Sequence, residues 1–155
     1  MALPPLLHYP NESDYREHYK RHYCRGHIVS FDGIRIYFQQ QRFEHAFYEG
    51  YGKGRFAPAR AQRLDWVKTT LEHPDADLYQ GWDKKRSVYV PERRVSVVYE
   101  DFVVVVELGT SNTSGVLKGK FITCYQADNS ISKIRHSPLW DIELCLRALR
   151  NRGGR

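Results

Sequence analysis

The sequence predicts an α+β fold: a single domain whose N-terminal helices pack on one face of a four- to five-stranded antiparallel sheet. Two observations predict it. Apolar residues recur at helical spacing between residues 39 and 73. Beyond residue 87 the pattern changes to short β-branched and aromatic runs separated by turn residues. A length of 155 residues suits one domain, which buries about two-thirds of the surface exposed by the unfolded chain.

The first 30 residues are rich in Tyr, His and Arg, among them Tyr15, His18, Tyr19, His22 and Tyr23, and read as a basic arm or a short helix. The domain proper runs over 31–150. Residues 34–38 read as its first strand, introduced by the Asp32-Gly33 turn. Residues 39–49 read as a short helix with Phe43, Ala46 and Phe47 on one face. The glycines at 50, 52 and 54 break it into a flexible basic loop. A second helix starts at Pro58, a favoured first-turn residue, and runs to about His73 with Ala61, Leu64, Val67 and Leu71 as its apolar stripe; Pro74 stops it. Strands at 87–90, 94–100, 102–108 and 120–126 read as an antiparallel meander. Pro91-Glu92, Glu100-Asp101 and Asn112-Thr113-Ser114-Gly115 punctuate it. Residues 139–149 read as a C-terminal helix, followed by a basic tail over 151–155. With the helices on one sheet face, the other is open as a concave binding surface.

Composition narrows the function classes. Twenty-four basic against 18 acidic residues leave a net charge of +6, which favours polyanionic partners. A hydrophobic fraction of 41% with 14% aromatic residues argues against disorder. Cys24, Cys124 and Cys145 are odd in number, far apart and without CxxC spacing. They argue against a disulfide framework and a zinc site, and suit a reducing compartment. The first residues lack the basic and apolar regions of a signal peptide, and no apolar run is long enough to span a membrane. The glycine loop at 50–54 lacks the ending of a phosphate-binding P-loop. His18 and His22 stand four apart with neither an intervening Glu in HExxH form nor a third ligand, so no metal or cofactor is expected.

Three motifs carry a resemblance. They are Phe43-Glu44-His45-Ala46-Phe47 in the first helix, Arg63-Leu64-Asp65-Trp66-Val67-Lys68 and onward to Pro74 in the second, and Phe121-Ile122-Thr123-Cys124-Tyr125 on the last strand. In that order, over residues 34–128, the chain resembles the barnase/EndoU/colicin/RelE-like ribonuclease superfamily, especially its phage-associated branch. The resemblance implies a metal-independent endoribonuclease, a toxin or phage-borne effector, in which an RNA 2′-hydroxyl attacks the adjacent phosphate. It implies single-stranded or tRNA-like RNA as substrate, an acidic immunity or antitoxin protein as partner, and action in the cytoplasm of producer or target cell, with no membrane and no cofactor.

That reaction needs a proton acceptor, a proton donor and cations around the phosphorane. The catalytic candidates are His45, as general acid or base, with Arg63, Thr123 and Tyr125; Arg60, Lys53, Arg55 and Lys120 are candidates for holding the substrate. Arg60 and Arg63, three apart, lie on one helix face and can grip a phosphate together. Thr123 and Tyr125, two apart on a strand, project to one sheet face, and Cys124 to the other as a core thiol. Each has a plain alternative. His45 caps the apolar edge of its helix, Arg60 and Arg63 pair with Asp65 or Glu72, and Thr123 and Tyr125 are ordinary strand residues. The N-terminal aromatics form either an RNA-stacking surface or an arm packed on the sheet. The competing functions are a non-catalytic nucleic-acid-binding module and a protein-interaction module on the same fold.

Overall fold

Strand β7, Phe102–Thr110, is the centre of the molecule because its side chains are buried on both sides. Phe102, Val104, Val106 and Leu108 face one layer, while Val103 and Val105 face another. A strand covered on both faces reads as a continuous apolar run, as this one does. Around it the computed structural model, which describes residues 2–98 and 101–153 and omits the Lys53 side chain, has an α+β single-domain architecture. The expected strand end and turn at Glu100, and the last residues of the tail from Gly154, lie outside the described residues.

The sheet has six strands in the order β1-β2-β8-β7-β6-β5. These are β1 (His27–Val29), β2 (Arg35–Tyr37), β5 (Asp77–Asp83), β6 (Val88–Val98), β7 and β8 (Leu117–Gln126). A separate two-stranded ribbon pairs β3 (Tyr48–Glu49) with β4 (Arg55–Phe56). The expectation of four or five antiparallel strands needs correcting: β2 runs parallel to β8, and the sheet is mixed. β1 and β5 were not expected. β1 is three residues long, and β5 carries Asp, Gln and Gly among its few apolar positions, which strands disfavour. The two strands expected on either side of Pro91-Glu92 are one strand. Gln80 pairs with Arg94 and Gly81 with Val90, so Pro91, Glu92 and Arg93 form a bulge, where a proline costs no ladder hydrogen bond.

The principal core lies between one sheet face and α1 (Glu12–Tyr19), α2 (Arg42–Phe47), α3 (Pro58–Ala61), α4 (Leu64–Glu72) and α6 (Ile142–Gly153). The N-terminal segment is part of this layer. Glu12 and Asp14 sit in the first turn of α1, where the helix dipole favours them, and a π-helical turn at Lys20–Cys24 continues the helix. Tyr15, Tyr19 and Tyr23, each four apart, are all buried, and Tyr19 and Tyr23 stack with centroids 6.1 Å apart. The expected helix from Pro58 to His73 is broken. Arg63 is the N-cap of α4, and its own N–H bonds back to Arg60 O at 3.1 Å. The C-terminal helix extends to Gly153, beyond the expected end at 149.

The opposite sheet face is not wholly open. Helix α5 (Ile131–Arg135) lays Ile131 and Ile134 on Tyr79, Val95, Val97, Val103 and Val105, forming a second small core. The remaining part of that face, toward the β5–β6 hairpin and α2, is a cleft.

Candidate functional site

Strand alternation and two bulges build the cleft. Phe121 and Cys124 of β8 face the helices. The register shifts between Val105 and Val106 of β7, which pair with Thr123 and Phe121, so Ile122 is an extra residue. Ile122, Thr123 and Tyr125 consequently all line the open side. On β6 the bulge at 91–93 sends three consecutive charged side chains three ways. Glu92 is buried and accepts from Arg152 Nη1 at 3.0 Å. Arg94, with none of its side chain exposed, reaches through the helix-covered face to Asp32 at 2.6 Å. Arg93 turns into the cleft, where Nη1 donates to Trp82 O at 2.7 Å and Nη2 lies 3.6 Å from Glu107. Gly81 is needed there, because a Cβ would collide with Arg93 Cγ and Cδ.

The resulting cleft has a volume of about 760 Å³, within the ~300–1,000 Å³ that organic ligands commonly occupy. His45 and Arg42 of α2 form one wall. Thr123 and Tyr125 form the floor together with Val95 and Val105, and Trp82, Lys84, Lys85 and Tyr89 of the β5–β6 hairpin form the far wall. Lys133 of α5 closes it. The carboxylates in the lining are Asp83, which pairs with Arg86 at 3.0 Å, and Glu107. Cations therefore outnumber carboxylates around the space.

A smaller cleft of about 250 Å³ adjoins it, with Tyr125 as the shared wall. Arg60, Arg63 and Glu49 line this second space. Arg63 Nη1 donates to Ala59 O at 2.6 Å, and its guanidinium lies 5.1 Å from the Trp66 ring centre. Arg60 Nη1 reaches Ala46 O at 3.4 Å. The two arginines thus share a cleft without sharing one helix. Their alternative partners are occupied elsewhere: Asp65 binds His18 at 2.8 Å and Tyr23 at 2.9 Å, and Glu72 binds Lys68 at 3.4 Å. Burial raises the Tyr125 hydroxyl above its ordinary pKa, with the nearby Arg60 charge opposing it. Tyr125 is therefore a phenol, able to donate a hydrogen bond, at neutral pH. Burial pushes the Cys124 thiol up to about 12, which suits a core residue and not a nucleophile.

Of the residues singled out in the sequence, His45, Thr123 and Tyr125 meet in the large cleft, and Arg60 and Arg63 meet Tyr125 in the small one. Arg55 is exposed on β4 and pairs with Glu49 at 3.6 Å, at the rim of the small cleft. Lys120 is exposed and stands opposite Glu107 in the β7–β8 ladder, outside both linings. The Lys53 side chain is outside the described set. Of the two readings of the N-terminal aromatics, the packed arm is the one found: Tyr15, Tyr19 and Tyr23 are core residues, and His18 is engaged by Asp65 and by the Tyr9 hydroxyl at 2.9 Å. Sequence reasoning missed Arg42, Trp82, Lys84, Lys85, Arg93 and Glu107. The run Trp82-Asp83-Lys84-Lys85 carried a usable signal, an aromatic beside cations between two strand-forming stretches.

Among the described residues, no group of three or more His, Cys, Asp or Glu side chains is placed to hold a metal ion, and no helix is long and apolar enough to cross a membrane. Comparison of the chain with protein-family models, curated proteins and solved structures returns no match.

Proposed function

We propose that the protein is a metal-independent endoribonuclease that cleaves RNA by attack of a 2′-hydroxyl on the adjacent phosphate. The observation that carries this reading is the shared lining of one basic cleft by His45, Thr123, Tyr125 and Glu107. In the proposed reaction the Glu107 carboxylate takes the proton of the attacking 2′-hydroxyl. His45 protonates the departing 5′-oxygen, leaving a 2′,3′-cyclic phosphate and a free 5′-hydroxyl. Thr123 and the Tyr125 phenol hold the phosphate oxygens, while Arg60 and Arg63 supply positive charge from behind Tyr125. The cationic lining also suits an acidic inhibitor protein that covers the cleft, since complementary charge speeds such pairing.

The test is incubation of the folded protein with total RNA and with tRNA in excess EDTA, beside His45→Ala and Glu107→Gln. We expect discrete products ending in 2′,3′-cyclic phosphate, with the rate reduced about 10²- to 10⁴-fold in each variant. Cleavage undiminished in His45→Ala, or no cleavage by the folded wild type, overturns the proposal. The absence of cleavage together with RNA binding supports the second reading, a non-catalytic binding module. That reading draws on the hairpin wall, whose aromatic and lysine residues need no acid or base to bind.

A further inference from the structure

We infer that the β5–β6 hairpin is a nucleobase-stacking arm that selects single-stranded RNA, with Trp82 as the platform. This rests on the reading that the large cleft takes RNA, and it adds which element and which side chain take the base.

The three tryptophans of the chain differ sharply in their surroundings. Trp66 is buried and donates its indole N–H to Pro4 O at 2.7 Å. Trp140 is half-buried and donates to Pro91 O at 2.8 Å. Trp82 is 47% exposed and lies in the cleft wall. An indole left in water at the lip of a cleft forgoes the large burial gain that the other two take.

The platform is held firmly. Trp82 pairs across the hairpin with Tyr89, ring centres 5.0 Å apart and planes at 74°, so Tyr89 buttresses it edge-on. Arg93 fixes the Trp82 carbonyl at 2.7 Å. Asp83 ties the hairpin tip by accepting from Lys85 N at 2.9 Å and Arg86 Nε at 3.0 Å. Order already present in the free protein need not be imposed on binding. Lys84 and Lys85, at the tied tip, share with Trp82 the lining of the cleft. A planar apolar face bordered by cations matches the alternation of base and phosphate along a nucleic-acid strand. A duplex offers no free base face, because its bases are stacked on one another; only an unpaired base can take the Trp82 platform. An acidic peptide matches the cations but not the indole.

The experiment reads binding without turnover. Full-length protein is titrated with an uncleavable 2′-O-methyl RNA oligonucleotide, the same sequence as a duplex, and poly-glutamate, following tryptophan emission and anisotropy of a labelled strand. We expect the single strand to quench an emission component that is missing in Trp82→Ala. We also expect Trp82→Ala to weaken binding about 5- to 150-fold, with Trp82→Phe retaining most of the affinity. Log affinity should fall with log salt by about 0.7 per phosphate contacted. Equal binding of the duplex, wild-type affinity in a folded Trp82→Ala, Trp82-dependent binding of poly-glutamate, or no binding at all overturns the inference. Trp82-dependent binding by a protein that cleaves nothing refutes the ribonuclease reading and leaves this one standing. Cleavage with Trp82-independent binding does the reverse.

Discussion

The ion pair between Arg94 and Asp32 should fail asymmetrically when it is broken. Both hydrogen bonds described for the Arg94 side chain go to Asp32, at 2.6 and 3.3 Å. The Arg94 side chain is 0% exposed and the Asp32 side chain 25%. Asp32→Ala removes the hydrogen-bonded partner of a guanidinium that sits in the interior between the Trp140 ring, 4.8 Å away, and the more distant Phe31 ring. Such an uncompensated buried charge costs about 3–5 kcal/mol. Arg94→Met leaves a carboxylate that water reaches and that still accepts from the Ser30 hydroxyl, costing about 1–3 kcal/mol. The expected gap is about 2 kcal/mol, or roughly thirtyfold in the folding equilibrium. Urea denaturation at pH 7 measures it through tryptophan emission. The acid limb gives a second check. Burial alone would raise the Asp32 carboxyl, but the hydrogen bonds from Arg94 and Ser30 prevail and hold it below the ordinary 3.8. The native state then binds fewer protons than the unfolded one in this window, so stability rises with pH. The contribution is complete above the ordinary value and is lost as pH falls through the depressed one, and Asp32→Ala should lack that loss. An Arg94→Met variant no more stable than Asp32→Ala, or parallel acid limbs for wild type and Asp32→Ala, refutes the reasoning.

Two further outcomes follow from packing. A Cβ on Gly119 would stand 2.7 Å from Ile36 Cδ1 and 3.1 Å from Leu108 Cδ2, and both of those side chains are buried. Gly119→Ala should therefore destabilise by about 1–3 kcal/mol in the same denaturation assay, and a neutral result would show that the β2–β8 crossing is looser than described. Burial raises all three thiols, Cys124 to about 12 and Cys145 to about 11, but only those two are also shut away from solvent. At pH 8 a thiol reagent should label Cys24, which is only half-buried, well ahead of Cys124 and Cys145. Denaturant should expose the other two. Labelling of Cys124 at the rate of Cys24 in the folded protein contradicts the burial argument.

The parts of the fold that could be read from the sequence are those where one local pattern has one physical solution. Phe102 to Val106 is apolar without interruption because helices lie on one side and α5 on the other, and the run was read as a strand. Pairing partners are a different matter. Arg35 to Tyr37 alternate as a strand should, but nothing local says that they lie parallel to Lys118 to Lys120, some eighty residues away. The break between α3 and α4 was hidden for a related reason. Arg63, at the N-cap, brings no capping hydroxyl or carboxylate and no glycine, so the apolar period runs on across it.

The candidate site was legible to the same extent. Alternation alone put Thr123 and Tyr125 together and Cys124 opposite, and the structure agrees. Glu107 and Arg93 enter the cleft through the ladder and the bulge at 91–93, which depend on pairing with distant strands. The aromatic and basic stretches teach the sharper lesson. The segments at 15–27 and at 79–93 both mix tyrosine or tryptophan with cations, and the first is the one whose sequence suggests a stacking surface or a packed arm. Its tyrosines recur every four residues, which is the spacing of one helix face, and a face of three tyrosines is drawn into the core. Trp82 and Tyr89 instead meet across a hairpin on which Trp82 stays exposed and Tyr89 half-buried. Composition is the same kind of mixture in both segments; periodicity decides which aromatic is core and which is left at the mouth of the cleft.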